Sequence, residues 1–483
     1  MKRGLVVVVV AAALALAGSA RANGRFPASN AMVFDPSDPS VVYARVTFGL
    51  LRSRDAGRTW RLTCERAVGY SSQEDPTYVV TPKGTIVAGL SEGLRVSTDH
   101  GCSFRTVDTA GAKSFVDVTM RPDGVIYALS SRFDRTSDAG ASLFRNEVWI
   151  SKDDGATFAP IGAAIDPKLL AESLEVSASD ASRVYVSAVD GAELPRRGAL
   201  LVSTDGGKTF TRREIPAEPH EIAPFIAAVD PAAPATVWVR TAGPPDKDTH
   251  LLVTRDAGKA WNVLVTAKGP LHGFARSAAG DLYAGGPGAG LFVGAAGAAP
   301  TKRSDLAVQC LGVAGDTLWA CSHEASGFFL GTSSDRGGRF DARLHIGDIQ
   351  GLLECPGSDI GTTCAAEWAE LARTIGRAPD DAPADAGAKP AVTAPPPPPG
   401  LPLKGPLLAA LGGAARAGGV RHARRKRGGD QSGRRADTTQ TAPVSATRGP
   451  WGASAASSAA ITRAESAGER SLMSRAAGPI SEA

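Results

Sequence analysis

An eight-residue pattern, Ser/Thr-x-Asp-x-Gly-x-x-Phe/Trp, recurs six times within the first 340 residues and constrains the fold more than any other feature. The Asp carboxylate can accept hydrogen bonds from backbone N–H groups two or three residues further on, and the Gly supplies a positive φ. The aromatic residue gives the following strand a large apolar anchor. Each copy therefore predicts a tight β-hairpin turn. The residues at the recurring positions are Ser53, Asp55, Gly57 and Trp60; Ser97, Asp99, Gly101 and Phe104; Ser151, Asp153, Gly155 and Phe158; Ser203, Asp205, Gly207 and Phe210; Thr254, Asp256, Gly258 and Trp261; and Ser333, Asp335, Gly337 and Phe340.

A second repeat accompanies the first. A short core of aliphatic, aromatic and small residues, usually preceded by turn-forming residues, occurs seven times at spacings of 36 to 58 residues. An antiparallel blade of four short strands takes about 40 to 50 residues. The spacing therefore favours seven blades in a ring, whereas a β-sandwich would not produce so long a period. The seven copies lie at residues 42–44, 86–88, 126–128, 184–186, 237–239, 282–284 and 318–320.

The six turns resemble the Asp-box (BNR) repeat of the sialidase-like and WD40/YVTN/BNR-like β-propellers. In that family such a turn joins the third and fourth strands of a blade. Together with the second repeat, the resemblance implies an all-β fold, a single seven-bladed β-propeller of four-stranded antiparallel blades. A seventh, degenerate turn is expected in the wide gap between Asp256 and Asp335, near residues 291–297.

The first 22 residues have the features of a secretory signal peptide. Lys2 and Arg3 form the positive n-region, and residues 5–16 form an apolar segment that is too short for a transmembrane helix. Residues 20–22 fit the small-x-small cleavage rule. The sequence thus predicts an exported protein, whether periplasmic, cell-surface or secreted. The net charge of +4 is small for 483 residues, so no nucleic-acid partner is expected.

The mature chain is expected to have three parts. These are the propeller over residues 23–356, a disulfide loop with a short helix over residues 357–377, and a Pro-rich linker with a disordered basic tail over residues 378–483. Apolar residues at helical spacing place the helix at residues 365–375, where it would cap the last blade. We interpret the tail as a solvated, basic, disordered segment, and the alternative is a sorting signal, because the order of Pro-linker, apolar stretch and basic cluster resembles bacterial surface-sorting tails.

The six cysteines of an exported chain are candidates for disulfides rather than for metal ligands. Two of them flank a Gly-Asp turn signal at equal distances, and a hairpin would place them opposite each other. Two more close a short Pro/Gly/Ser loop, and the remaining two would bridge the first two repeats. No CxxC or HExxH motif occurs, so no metal and no cofactor is predicted. The expected pairs are Cys310–Cys321, Cys355–Cys364 and Cys64–Cys102, in that order.

Blade geometry separates two faces. Turns between strands one and two and between strands three and four lie on one face, and the other connections lie on the opposite face. The long polar segments fall on this second face, where loops of a rigid scaffold commonly carry binding residues. The alternative is that exported surface loops are simply polar. The candidate ligand-binding residues are Tyr70, Glu74, Arg132, Arg135, Glu193, Arg196, Arg197 and His250.

Two functions are open. A sialidase-like glycoside hydrolase needs an arginine cluster that holds a carboxylate and a Tyr–Glu nucleophile pair. The Arg-Ile/Leu-Pro motif of that family has only a weak counterpart at residues 25–27, so no catalytic residue is assigned. The sequence favours an exported binding or scaffold protein that recognises a protein or a glycan through the face opposite the Asp-boxes. Its resemblance to Asp-box proteins of the sortilin and photosystem-assembly-factor type implies the same, and the hydrolase is the alternative.

Overall fold

The protein is a seven-bladed β-propeller of four-stranded antiparallel sheets, as predicted. The computed structural model describes residues 27–377 except 72–73, 113, 139, 191–196 and 222, and the statements below concern these residues. Each blade consists of four strands that are consecutive in the chain. The predicted signal peptide and the predicted linker and tail lie outside the described residues.

The strand bounds follow the blades in order. Blade one contains β1 (Ser29–Phe34), β2 (Val42–Val46), β3 (Gly49–Ser53) and β4 (Arg61–Cys64), and blade two contains β5 (Thr77–Val80), β6 (Ile86–Leu90), β7 (Gly93–Ser97) and β8 (Arg105–Thr106). Blade three contains β9 (Phe115–Met120), β10 (Ile126–Thr136), β11 (Ser142–Ser151) and β12 (Ala159–Ile165), and blade four contains β13 (Leu169–Val176), β14 (Val184–Asp190), β15 (Arg197–Ser203) and β16 (Thr211–Ile215). Blade five contains β17 (Ala223–Val229), β18 (Val237–Ala242), β19 (Asp248–Thr254) and β20 (Asn262–Lys268). Blade six contains β21 (Gly273–Arg276), β22 (Leu282–Gly286), β23 (Gly290–Gly294) and β24 (Thr301–Ser304), and blade seven contains β25 (Cys310–Ala314), β26 (Thr317–Cys321), β27 (Leu330–Ser333) and β28 (Asp341–Leu344).

The second repeat of the sequence forms the second strand of every blade. These strands are almost wholly buried because each sheet packs both of its faces against neighbouring blades. The core accordingly lies between blades, and one cluster joins Tyr43 and Leu50 of blade one to Tyr78 and Ile86 of blade two. The first strands of neighbouring blades contact one another around the ring and form its inner wall.

The six Asp-containing motifs form the hairpins between the third and fourth strands, and we call them the repeat turns. In the turn of blade four, the Asp205 carboxylate accepts hydrogen bonds from Thr209 N at 2.9 Å and from the Ser203 hydroxyl at 2.7 Å. These donors hold the pKa of Asp205 well below its usual range, the Thr209 hydroxyl being the largest influence. Gly207 has a φ of +93°, which a residue with a Cβ rarely adopts. The aromatic residue of every copy directly precedes the fourth strand, as predicted.

The predicted degenerate turn is present in blade six. Residues 295–300 connect β23 to β24, and this connection has the place of a repeat turn without its Asp. Gly297 in this turn has a φ of +79°. The chain therefore keeps the hairpin where the capping carboxylate is missing, because glycine and proline residues supply the backbone conformation.

The ring closes through a C-terminal segment at the outer edge of blade one. Leu62 of β4 donates its backbone N–H to Gly351 O, and Leu353 N donates to Leu62 O, both at 2.8 Å. This parallel pairing adds a short stretch of the C-terminal segment beside the last strand of the first blade. On the inside, β1 packs directly on β25 of blade seven. Blade seven and blade one are thus joined both at the inner wall and at the rim.

Two of the three expected disulfides are wrong, and the third is confirmed. Cys310 and Cys321 are paired residues of β25 and β26 and form a disulfide, as predicted. The other bonds, however, join Cys64 to Cys364 and Cys102 to Cys355. Proximity in sequence misled the expectation because ring closure carries the C-terminal segment across blade one to the repeat turn of blade two. We call residues 350–364, with their two disulfides, the clasp.

Two α-helices and two short 3-10 helices, Glu324–Ser326 and Ile346–Asp348, accompany the sheets in the described residues. A short α1 (Glu65–Val68) follows β4, and α2 (Ile360–Thr374) follows the clasp loop. The helix α2 begins five residues before the predicted start. It packs mainly on β4 and α1 of blade one, whereas the prediction placed it on the last blade, and it shares an apolar cluster with residues of blade seven. Its Trp368 is 1 % exposed in a cluster that includes Leu62 and Cys64. The Cys64–Cys364 disulfide and these apolar contacts therefore both attach the helix to blade one. No helix in the described residues is long and apolar enough to span a membrane.

Candidate functional site

The polar loops gather on one side of the ring. Strand order places the connections between second and third strands, and those between blades, on the side opposite the repeat turns. We call this side the loop face. Each predicted ligand-binding residue that the structure describes belongs to one of these connections or to the strand end next to it. Blades one to five contribute these residues, so the candidate site is not the property of a single loop.

The connection from blade one to blade two contains Tyr70 and Glu74. Tyr70 is 3 % exposed in the core between these blades, and Glu74 is half-buried. A buried guanidinium that the sequence reasoning missed lies nearby. Arg45 is 1 % exposed and donates from Nε to Asn30 Oδ1 at 2.7 Å. Asn30 in turn donates to the carboxylate of Asp75 at 2.6 Å, so this rim is a closed network of polar contacts.

Blade three presents Arg132 and Arg135 on two strands that are longer than any others in the described chain. Arg132 is half-buried at the base of this extension, and Arg135 is exposed near its end. Arg135 contacts the carboxylate of Asp134 at 2.8 Å. The two predicted arginines thus belong to one element of one blade.

Blade four presents Arg197, whereas Glu193 and Arg196 lie outside the described residues. Arg197 is the exposed first residue of β15 and is opposite Asp190 in the strand register. Asp190 accepts a hydrogen bond from Arg212 Nη1 at 3.1 Å. This edge of the loop face therefore alternates cationic and anionic side chains.

Blade five presents His250 against a buried carboxylate. His250 Nδ1 is 2.8 Å from Glu221 Oε1, and the Glu221 side chain is 1 % exposed. The hydroxyl of Thr241 and the backbone N–H of Glu218 also donate to this carboxylate. Three donors satisfy Glu221, which fixes the orientation of the His250 ring on the loop face.

A chain of three side chains connects blades six and seven. His272 Nδ1 donates to Gln309 Oε1 at 3.1 Å, and Gln309 Nε2 donates to His323 Nε2 at 2.6 Å. His272 is 9 % exposed, and burial, assisted by the Arg240 cation, lowers its pKa to about 4. The ring is therefore neutral at physiological pH, with its proton on Nδ1.

His272 and Gln309 each directly precede the first strand of a blade, a signal that sequence reasoning could have used. Arg240 is another buried cation of this sector. Its Nη1 donates to Leu271 O at 2.8 Å and its guanidinium lies over the ring of Phe225 at 4.8 Å. Five of the six histidines in the described residues lie on the loop face, at positions His220, His250, His272, His323 and His345.

The chemistry of the loop face is that of fixed hydrogen-bond donors and acceptors with exposed guanidinium groups. Within the described part of the chain, no group of three or more His, Cys, Asp or Glu is arranged to hold a metal ion. The buried members are paired with one another, and the exposed arginines are at the ends of blade-specific strands. Such a surface is suited to polar recognition.

Comparison with known proteins finds one matching family model and several similar solved structures. The Sortilin-Vps10 family model, described as sortilin, neurotensin receptor 3, matches residues 146–275. No curated protein matches this chain. A solved structure of a protein of unknown function from Dyadobacter fermentans shares 17 % identity over 57 % of this chain and 92 % of its own, with a TM-score of 0.36. The GH74 xyloglucanase from Xanthomonas campestris shares 16 % identity over 65 % of this chain and 60 % of its own, with a TM-score of 0.36. YCF48 from Cyanidioschyzon merolae shares 12 % identity over 61 % of this chain and 92 % of its own, with a TM-score of 0.41.

Proposed function

We propose that the protein is an exported Asp-box propeller that binds a protein or a glycan through its loop face. The observation that carries this proposal is the contrast between the faces of one closed ring. The repeat turns are alike in every blade that has one, while the connections on the opposite face differ in length and charge from blade to blade. A rigid scaffold with variable loops on one face is a common arrangement for recognition.

Export is supported by two features. The N-terminal residues have the composition of a signal peptide. All six cysteines form disulfides, and such bonds persist in oxidising compartments outside the cytosol. The part that matches the sortilin family model runs from β11 to β21 and thus includes the loop-face segments of blades four and five. This match favours a binding role, since that family is described as a receptor.

The experiment is a binding and turnover screen on the purified, oxidised protein. We expect saturable binding on a glycan array or to a protein from the same cell envelope, with no release of product from sialoside substrates. Arg197→Glu on the loop face should weaken binding, whereas Arg58→Glu in the repeat turn of blade one should leave it unchanged. Hydrolysis of a sialoside would instead support the alternative glycoside hydrolase, and equal effects of both variants would refute a loop-face site.

A further inference from the structure

The strands β10 and β11 extend beyond blade three as a two-stranded ribbon. β9 pairs with β10 only as far as Ser130, and β12 pairs with β11 only from Asn146 onward. The pairs beyond these points connect residues 131–136 to residues 142–146. We call this extension the blade-three ribbon. It rises from the loop face, because it continues the connection between the second and third strands.

Two arginines are directly opposite each other at the base of the ribbon. Arg132 of β10 pairs with Arg145 of β11 in the register. Like charges at directly opposite positions of an antiparallel pair destabilise the ribbon. Arg145 is partly compensated by Glu147 at 2.9 Å, and Arg132 has no ion-pair partner among the described residues. In the free protein two arginine residues are therefore directly opposite each other, and a bound anionic group would reduce the repulsion between their charges.

A shift in register adds a third arginine to the same face. After Phe133, the next paired residue of β10 is Arg135, opposite Leu143, and Asp134 has no partner of its own. Successive pairs of a ribbon point to alternate faces. Regular alternation would place Arg135 on the face of Phe133. The extra residue, as at a β-bulge, turns Arg135 to the face of Arg132 instead.

The face of the ribbon opposite the arginines attaches the ribbon to the rest of the protein. Phe133 and Phe144 form an edge-to-face pair with ring centroids 6.3 Å apart. The backbone N–H of Phe144 donates to Pro167 O at 2.7 Å, which ties the ribbon to the connection that leads to blade four. The ribbon that carries the arginines is thus already held in place, so less conformational entropy is lost when a ligand binds.

We propose that the arginine face of the blade-three ribbon, Arg132, Arg135 and Arg145, docks an extended acidic peptide of a protein partner. This inference rests on the proposed loop-face function and names its ligand class. Alternate side chains of an extended peptide share a face and repeat every ~6.6 Å. The pair Arg132–Arg145 and the residue Arg135 are two pairs apart along the ribbon, which is the same repeat. An extended peptide with Asp or Glu at alternate positions therefore matches the ribbon in charge and in period.

The local ion pairs do not block this contact. The side chains of Arg135 and Asp134 are 71 % and 35 % exposed, and those of Arg145 and Glu147 are 56 % and 18 % exposed. Exposed pairs of this kind contribute little in water. Guanidinium groups can exchange them for bidentate contacts with a ligand carboxylate, which have a better geometry.

The test uses the full chain and a capped octapeptide of alternating Glu and Ser, with an alternating Lys and Ser peptide as the charge control. We expect the Glu peptide alone to bind, and each of Arg132→Glu and Arg135→Glu to weaken it at least about tenfold. Arg339→Glu is the matched control, because Arg339 is also exposed and paired with an acid but belongs to the repeat turn of blade seven. Equal loss in this control, or binding of both peptides, would overturn the proposal.

A second variant separates geometry from charge. Inserting one Ser between Leu143 and Phe144 gives Asp134 a partner and turns Arg135 to the opposite face, with every charge retained. We expect this variant to keep its fold by circular dichroism and to lose binding about as much as Arg135→Glu, since one arginine leaves the face. Unchanged binding would show that the arrangement does not matter and would refute the proposal.

The proposal and the proposed function can fail separately. If the Glu peptide does not bind, or if a polygalacturonate chain binds through Arg132 in its place, the acidic-peptide inference is wrong. The loop-face function would still stand if the broader screen finds a ligand that Arg197→Glu weakens. If the peptide binds but neither Arg132→Glu nor Arg135→Glu affects it, the site lies elsewhere and the inference is again refuted.

Discussion

The repeat-turn face and the loop face are built from the same strands, but in opposite ways. In all six repeat turns the Ser or Thr hydroxyl is 2.7 to 2.8 Å from the Asp carboxylate. Among the described residues of the loop face, the polar contacts differ from blade to blade, except that Arg45 and Arg240 both donate to a backbone carbonyl just before the first strand of the next blade. Blade one carries a buried Arg45 network, blade three a charged ribbon, and blade five the pair of His250 and Glu221. Repetition on one face can preserve the ring while the other face changes, so the first face carries stability and the second is the face for which we propose recognition.

Gly57→Ala should show the largest effect, because it places a Cβ where the repeat-turn face has no room. The Cβ would lie 2.5 Å from the Trp319 ring of blade seven, and Gly57 has a φ of +83°. We expect the free energy of unfolding to fall by about 3 kcal/mol, from backbone strain and overpacking together. Denaturant unfolding of the protein and the variant measures this loss of free energy.

Gly124→Ala is the control for this effect. Gly124 has the same φ of +83°, and its Cβ would meet nothing within 4 Å. Only the strain of about 1 kcal/mol should remain. Equal losses in the two variants would mean that contacts between blades do not add to the rigidity of the repeat-turn face.

His272 tests whether part of the loop face also carries stability. Burial lowers its pKa to about 4 in the folded protein, and an exposed histidine titrates near 6.5 in the unfolded chain. Between these values the unfolded state binds more protons, so stability is present above pH 6.5 and is lost as the pH falls through 4. Between pH 6.5 and pH 4 we expect His272 to lower the free energy of unfolding by about 3 kcal/mol.

Urea unfolding from pH 7 to pH 4 measures this slope. Acid also protonates other groups, so the difference between the protein and His272→Gln is the informative quantity. The variant should have the weaker pH dependence in this window. If stability falls with pH equally in the protein and in His272→Gln, the titrating groups lie elsewhere. This part of the loop face would then not contribute to stability through His272.

Ser203→Ala should have an intermediate effect on the repeat-turn face. The Ser203 hydroxyl accepts from Gly207 N at 2.8 Å and donates to Asp205, and Ser203 is fully buried. Leaving the Gly207 N–H unsatisfied costs about 1 to 2 kcal/mol. Asp205→Asn should lower the melting temperature in the same direction without a selective loss of binding. A melting temperature unchanged in both variants would contradict the structural role of the repeat turns.

Arg197→Ala should have the smallest effect on stability. Arg197 is an exposed residue at the start of β15 on the loop face, and such substitutions change the free energy of unfolding by less than about 0.5 kcal/mol. Thermal unfolding beside Arg58→Ala, on the repeat-turn face, provides the comparison. A large loss at Arg197 would show that the loop face contributes to the fold more than its exposure suggests.

The sequence predicted what is local and repeated. The repeat turns, the number of blades and the Cys310–Cys321 pair each depend on residues within about one hairpin, where turn chemistry decides the conformation. The partners of Cys64 and Cys102 could not be predicted this way, because they depend on where the C-terminal segment lies after the ring has closed. The network of Arg45 and the chain from His272 also join residues of different blades. The positions of His272 and Gln309 directly before a first strand are visible in the sequence, but no single segment shows which residues of another blade are contacted.

The clasp also sets an order for assembly. Cys64 and Cys102 precede their native partners by 300 and 253 residues, so both thiols are present long before Cys364 and Cys355 are synthesised. During that interval the two early cysteines can oxidise with each other, and the outer edge of blade one has no strand beside it. A chain that forms disulfides while it is still being made must therefore delay oxidation or exchange a premature bond. The last part of the chain to be made decides whether the first blade is correctly finished.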